Sequence, residues 1–288
     1  MAVEAELKFI CAGELPADLS PIWSAVAVKV EPRAGKQLLN AYYDTADQWF
    51  RRQDAGLRTR LQQGRYEQTI KLAGRGQGAL QVRPEYNLPC ASVWPELNAF
   101  PAEVWPQGVD SSSLQQQLVQ LFNTDFYRQS WLLHLACGAV VEVALDKGWV
   151  KAAGQQETID ELELELMSGD TDALFALGEL LLRRLPLRFG VMSKAERGYR
   201  LNQQQPVEPT TAKTTSPGAV LKAVLYNEAC WWQQQNQQAL QLLQQQWAAL
   251  ADDWPDFRAF LVLPPAQVLS SQAYLQAQLN LSRHLSKD

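Results

Sequence analysis

Glu4-Ala5-Glu6-Leu7-Lys8 stands near the start of the chain, and its strict alternation decides how the rest is read. Successive side chains of a β-strand point to opposite faces. Glu4, Glu6 and Lys8 therefore share one face, and Ala5, Leu7 and Phe9 the other. A half-buried strand ordinarily turns one polar face to water. Here the pattern recurs along the chain, with charges of both signs. Leu57 to Leu61 sets Arg58 and Arg60 on one face, Tyr66 to Leu72 aligns Glu67, Thr69 and Lys71, and Leu80 to Tyr86 aligns Gln81, Arg83 and Glu85. The run from Phe126 places Arg128 with Ser130, and Val140 to Asp146 pairs Glu142 with Asp146. Glu161-Leu162-Glu163-Leu164-Glu165 carries three carboxylates on a single face. Like charges so aligned are tolerable only near the opposite sign or a bound ion. The expectation is a mainly β (α+β) fold, a barrel whose charged faces meet inside.

Several of these stretches, with others, carry a resemblance. The Glu4-x-Glu6-x-Lys8 opening, Tyr42-Tyr43-Asp44-Thr45, Gly56-Leu57-Arg58-x-Arg60, Thr69-x-Lys71, Arg83-x-Glu85 and Glu161-Leu-Glu163-Leu-Glu165 resemble the CYTH family, the triphosphate tunnel metalloenzymes. Ser193-Lys194-Ala195-Glu196-Arg197-Gly198-Tyr199 is similar to that family's closing signature, and the run from Ser130-Trp131 through Glu142, Asp146 and Gly148 also fits. The resemblance covers roughly residues 1 to 202 in the family's order, and runs in particular to bacterial inorganic triphosphatases with an N-terminal CYTH domain. It implies an eight-stranded antiparallel closed barrel forming a charged tunnel, with helices packed outside.

The chemistry implied is hydrolysis of a linear triphosphate to pyrophosphate and phosphate. That requires spreading several negative charges, positioning water in line and stabilising the leaving group. Arginine suits phosphate because its planar fork donates two parallel hydrogen bonds. Arg58, Arg60, Arg83 and Arg128, with Lys8, Lys71, Lys194 and Arg197, are the phosphate ligands expected in the tunnel. Carboxylates repel phosphate but bind the hard cation that accompanies it, Mg²⁺ or Mn²⁺. By the resemblance Glu4, Glu6 and Glu165 are metal ligands, with Glu163 close by. Glu142 or Asp146 is expected to orient the attacking water. Two enzyme alternatives share these residues: a class IV-like adenylate cyclase, and a thiamine or nucleoside triphosphatase. A polyphosphate-binding module is the alternative of another class, disfavoured because a pure polyanion binder has little need of metal-ligating carboxylates.

Other features have plainer readings. Glu161 is open between ligand and solvated charge, Glu67 and Lys151 read as rim residues, Lys147 as solvent-facing and His134 as structural. Gly74-x-Gly76-x-Gly78 lacks the Gly-Lys-Ser/Thr of a phosphate loop and reads as a hairpin turn. Cys11, Cys90, Cys137 and Cys230 have no metal-ligand spacing and read as free thiols. A net charge of −5 argues against a sequence-independent nucleic-acid binder. No secretory signal and no apolar run of about 18 residues is visible, so the expectation is a cytoplasmic chain without a membrane partner.

Strands are expected at 41–45, 57–62, 66–72, 80–87, 126–135, 139–145, 149–152 and 158–167. Helices are expected over 17–28, 114–122 and from about 170 to 185. Residues 203–218 (QQQPVEPTTAKTTSPG) have no periodicity and three prolines, and read as a linker. They separate a tunnel domain (1–202) from a glutamine-rich helical region (219–288), which resembles only the beginning of a helical CHAD domain because it lacks that domain's His- and Arg-rich helices.

Overall fold

The structure is a computed structural model and describes residues 2–287. The elements run β1 (Ala2–Cys11), α1 (Ser20–Val26), β2 (Lys29–Pro32), β3 (Lys36–Thr45), α2 (Trp49–Arg52), β4 (Gly56–Gln62), β5 (Arg65–Lys71), β6 (Arg75–Gln77), β7 (Leu80–Cys90), α3 (Ser111–Gln117), β8 (Leu118–His134), β9 (Val140–Ala152), β10 (Gln155–Ser168), α4 (Asp172–Leu182), β11 (Leu187–Phe189) and α5 (Lys194–Asn202). Beyond them lie α6 (Pro217–Gln234), α7 (Gln237–Leu250), α8 (Pro265–Val268) and α9 (Gln272–Leu285).

Eight strands close on themselves in the order β1-β10-β9-β8-β3-β4-β5-β7, and β7 pairs back onto β1. Each pairing round this ring is antiparallel. The shorter β2, β6 and β11 attach to β8, β7 and β1. Closure removes the exposed edges that a sheet of this size would otherwise carry.

Several boundaries differ from the sequence expectation. The helix expected over 114–122 stops at Gln117, and Leu118 to Phe122 extend β8 through pairing with Thr45 to Tyr42 of β3. Long-range ladder bonds outweigh a weak local helical pattern there. Segments 139–145 and 149–152 form one strand, β9, because Gly148 lets the backbone approach β8; a Cβ at this position would lie 2.2 Å from the Asp125 carbonyl oxygen. α1 begins at Ser20 rather than Ala17, with the Asp18 carboxylate accepting from Ser20 N–H at 2.8 Å. The glycine-rich segment does form a hairpin, of β6 with β7, turning at Gly78.

The two faces of the barrel wall have different chemistry. Outside, Leu7, Phe9, Val141, Val143, Leu162 and Leu164 pack under Leu174, Leu177 and Leu181 of α4. Inside, Leu38, Tyr42, Phe122, Phe126, Val150 and Ile159 form a separate apolar cluster, completed by Tyr199 and Leu201 of α5. Gly198 is needed for that fit, since a Cβ there would lie 2.1 Å from the Phe122 ring. α6 to α9 build their own core round Leu221, Trp247, Phe257 and Tyr274. They also contribute Leu225, Leu275 and Leu279 to the barrel's outer core. Part of the 203–218 segment is laid down on α6: Val207 is buried, and the Asn227 amide pairs with both N–H and C=O of Thr210. Among the described residues no helix is long and apolar enough to cross a membrane.

Candidate active site

Residues of the ring that oppose one another across a pairing lie on the same face. Glu6 stands opposite Glu165, and Lys8 opposite Glu163. Glu165 in turn faces Glu142, and Glu161 faces Asp146. Asp146 faces Arg128. On the other side Arg58 faces Thr69 and Lys71 faces Glu85. The alternation visible in single strands thus becomes belts of charge round one lumen, which holds a cavity of about 670 Å³.

Of the sequence-derived phosphate ligands, Lys8, Arg58, Arg60, Lys71, Arg83, Arg128 and Lys194 line this cavity, as do Glu4, Glu6, Glu163 and Glu165 of the proposed metal set. Arg197, Glu142 and Asp146 do not stand among the residues that line the cavity. Asp146 is fully buried and accepts both prongs of Arg128, at 2.7 Å to Nε and 2.6 Å to Nη2, so it has no free face for water. Arg197 is buried and committed, donating to Glu157, to the Thr158 carbonyl and, at 3.2 Å, to Glu161. Glu142 lies beside Glu165 on the inward face, as its cross-strand partner. Glu161 is a fully buried ion-pair partner of Lys194 and Arg197, not a solvated charge.

The carboxylates fall into two chemical groups. Asp146, Glu161 and Glu163 offer oxygens within 4.8 Å of one another, an arrangement able to hold a cation. The Lys194 ammonium pairs with all three, at 2.7 Å from Asp146 and 2.9 Å from Glu163. Burial disfavours charge on Lys194, but these anions more than offset it and hold its pKa well above the usual value. Glu163 is likewise buried, yet Lys194 and Arg128 hold it well below the usual carboxylate range. Glu6 and Glu165 differ. Neither makes an ion pair among the described residues, and burial, reinforced by Glu163 for Glu6 and by Glu4 for Glu165, pushes each to about 7.

The cationic wall has a matching asymmetry. Lys71 bridges Glu4 and Glu85, lying 3.3 Å from the latter, and its pKa stays raised despite burial. Arg58 reaches Glu85 only at 3.6 Å, and its Nε is buried with no hydrogen-bond partner among the described residues. Arg60 donates to the neutral Asn40 side chain at 2.7 Å, and burial beside Arg58 and Arg128 lowers its pKa to about 9. One wall therefore has an under-compensated guanidinium, Arg60, and another under-compensated carboxylates, whereas the charge on Arg58 is favoured by Tyr42 and Glu85 despite burial. A polyanion suits the first and an oxygen-seeking divalent cation the second.

Arg83 sits at a rim, tied to the Leu72 carbonyl at 3.0 Å and the Asp54 carbonyl at 2.6 Å. Of the residues expected to be peripheral, Lys147 is exposed, Lys151 pairs with Asp125, and Glu67 is exposed where it lines the cavity. His134 shares a 2.8 Å hydrogen bond with Glu31. Asn40, Asn87 and Tyr199 join the lumen or its lining without having been foreseen. Being uncharged, they left no mark in the charge alternation. Glu85, which anchors Lys71, was legible in Arg83-x-Glu85 as an inward position but not as a site residue.

A closed antiparallel barrel lined by opposed belts of acid and base defines a class of tunnel proteins. The CYTH domain profile matches residues 2–199, and the chain belongs to that family. It is 36% identical over 167 residues to an inorganic triphosphatase of Haemophilus influenzae, an overlap of 58% of this chain and 46% of the relative. The chain thus spans less than half the length of that relative. Among solved structures it is similar to a Hippeastrum protein assigned as an adenylyl cyclase with dominant triphosphatase activity, at TM-score 0.45 and 14% identity over 70% of this chain and 96% of that one. It is also similar to an assigned adenylate cyclase of Bacillus halodurans, at TM-score 0.43 and 16% identity over 68% and 98% of the two chains.

Proposed function

We propose that this protein hydrolyses inorganic triphosphate, with Mg²⁺ or Mn²⁺, to pyrophosphate and orthophosphate. The observation that carries the reading is the presence of the under-compensated Arg60 beside Arg58, together with the under-compensated Glu6 and Glu165, in one lumen. Lumen residues address phosphate and a cation. The likeness to an inorganic triphosphatase supports the same reading.

Arg58, Arg60 and Arg128 bind the phosphate oxygens, with Lys8 and Lys71 completing the cationic lining. Their fixed positions stabilise charge that shifts toward the leaving pyrophosphate without reorganising solvent. Glu6 and Glu165, with Glu4, are the residues that would hold the divalent ion. When bound, that ion supplies charge neutralisation and lowers the pKa of a coordinated water. Asp146 and Arg197 act indirectly: Asp146 fixes the Arg128 fork, and Arg197 fixes Glu161 against Lys194. The reaction consumes one water, breaks one phosphoanhydride bond and releases a proton.

The test is a substrate panel: purified protein with Mg²⁺ or Mn²⁺, offered tripolyphosphate, ATP and thiamine triphosphate, with phosphorus NMR identification of products. Tripolyphosphate should be preferred over ATP by at least about tenfold in kcat/KM, a difference of about 1.4 kcal/mol. Equal turnover of ATP with release of cyclic AMP would replace this reading by the cyclase one.

A further inference from the structure

The cavity is lined not only by barrel residues and α5. Lys222 and Tyr226, four residues apart on one side of α6, also border it. They meet the rim made by Asp54, Arg83 and the Gly74–Gly78 hairpin. Several of the described charges at this rim are already engaged. Asp54 is held by Arg83. Glu196 accepts the Tyr226 hydroxyl proton, and burial together with the Glu196 charge pushes the Tyr226 pKa well up. Lys222 is exposed and makes no ion pair among the described residues. With Arg51, which also lines the cavity and donates only to glutamine side chains, it is a described rim cation open to an incoming anion.

The placement is held by packing from both sides. A Cβ at Gly78, whose φ is +61°, would lie 2.6 Å from Leu221 and 2.4 Å from the Ser282 hydroxyl, so the hairpin fits closely against α6 and α9. Ala79 N–H donates to Ser282 at 3.0 Å. Tyr226 meanwhile ties α6 to Glu196 in the first turn of α5, two residues after Lys194. α6 is thereby fixed at the mouth of the tunnel.

We infer that α6 supplies part of the substrate path: Lys222, beside Arg83, forms an outer anion subsite that captures polyphosphate at the tunnel mouth and contacts phosphate groups beyond those held by the barrel arginines. The inference rests on the proposed triphosphatase reading for its kinetics but not for its binding. Beside Lys222 the mouth carries the carboxylates of Asp54 and Glu196, and Arg83 is already engaged with Asp54. A lone exposed cation at an entrance acts on encounter and on ground-state binding. Its loss raises KM and leaves the chemical step in place.

The experiment compares Lys222→Glu with the wild type and with Lys213→Glu, an identical charge change on the exposed 203–218 segment. KM for tripolyphosphate should rise about tenfold in Lys222→Glu at low salt, with the gap narrowing as salt screens it. The effect should be larger for tetrapolyphosphate, and Lys213→Glu should leave both KM values near wild type. Equal KM values for wild type and Lys222→Glu, or equal shifts in both variants, would overturn the subsite. In parallel, isothermal titration of tripolyphosphate and tetrapolyphosphate without metal reads binding alone. Weakened binding in Lys222→Glu supports the subsite even if the wild type proves inactive on these compounds, an outcome that would defeat only the proposed reaction. Unchanged binding in Lys222→Glu would sink it whatever the activity.

Discussion

At the scale of residues, the lumen works by incomplete neutralisation. Lys194 satisfies three carboxylates and Arg128 two, so this corner is a closed ion network. Glu6, Glu165 and Arg60 are left with charge that this protein alone does not compensate. The two conditions call for different experimental signatures. Lys194→Met removes the cation from Asp146 and Glu161, which are fully buried. Asp146 keeps Arg128 and Glu161 keeps Arg197, so the loss should approach but not exceed the roughly 3–5 kcal/mol of a broken buried pair, and the urea midpoint of this variant should fall. A midpoint equal to wild type would mean that Arg128 and Arg197 alone neutralise those carboxylates.

At the scale of elements, α6 and α9 meet through a buried polar cluster. Glu228 accepts from Tyr274 and Gln278, while Arg188 of β11, stacked 5.7 Å over Trp232, acts on it electrostatically. Burial raises the Glu228 pKa to about 7 against these opposing contacts. A carboxyl whose pKa is higher folded than unfolded stabilises the fold at low pH, and the contribution is lost as pH rises from about 4.5 through about 7. Glu228→Gln, which cannot ionise, should therefore flatten the decline of stability between pH 5 and 8. An unchanged pH slope in that variant would show that Glu228 stays charged in the folded protein. The elements also show what the sequence could reveal. Strand faces were legible where two-residue alternation survives, as in Glu4 to Lys8 and Glu161 to Glu165, and not in β3. Strand ends were not: β8 begins at Leu118 because it pairs with β3, and local residues cannot report a partner some 70 to 80 positions away. α5 was visible only as a signature, since the face it buries carries Lys194, Arg197 and Gly198 beside Tyr199 and Leu201 and so does not read as an apolar stripe.

At the scale of the whole molecule, barrel and C-terminal helices share one core through Leu225, Leu275 and Leu279. Leu279→Ala should cost about 2–5 kcal/mol and lower the thermal midpoint of the barrel's tryptophan signal together with that of the helices. Separate transitions, with only the helical one displaced, would show two independent units. The site expectations divide in the same way between local and global information. Which residues point inward is a strand property and was readable. Which inward residue is free for substrate depends on how the ring closes, which pairs Asp146 with Arg128 and Arg197 with Glu161. The central claim is that Glu6 and Glu165 hold a divalent ion beside a bound polyanion. Isothermal titration of tripolyphosphate into Glu165→Gln, with EDTA and then across a Mg²⁺ series, tests it most directly. Removing one carboxylate should leave metal-free binding unchanged or tighter and shift the Mg²⁺ requirement upward by about tenfold or more. Weaker metal-free binding with an unaltered Mg²⁺ requirement would contradict the account.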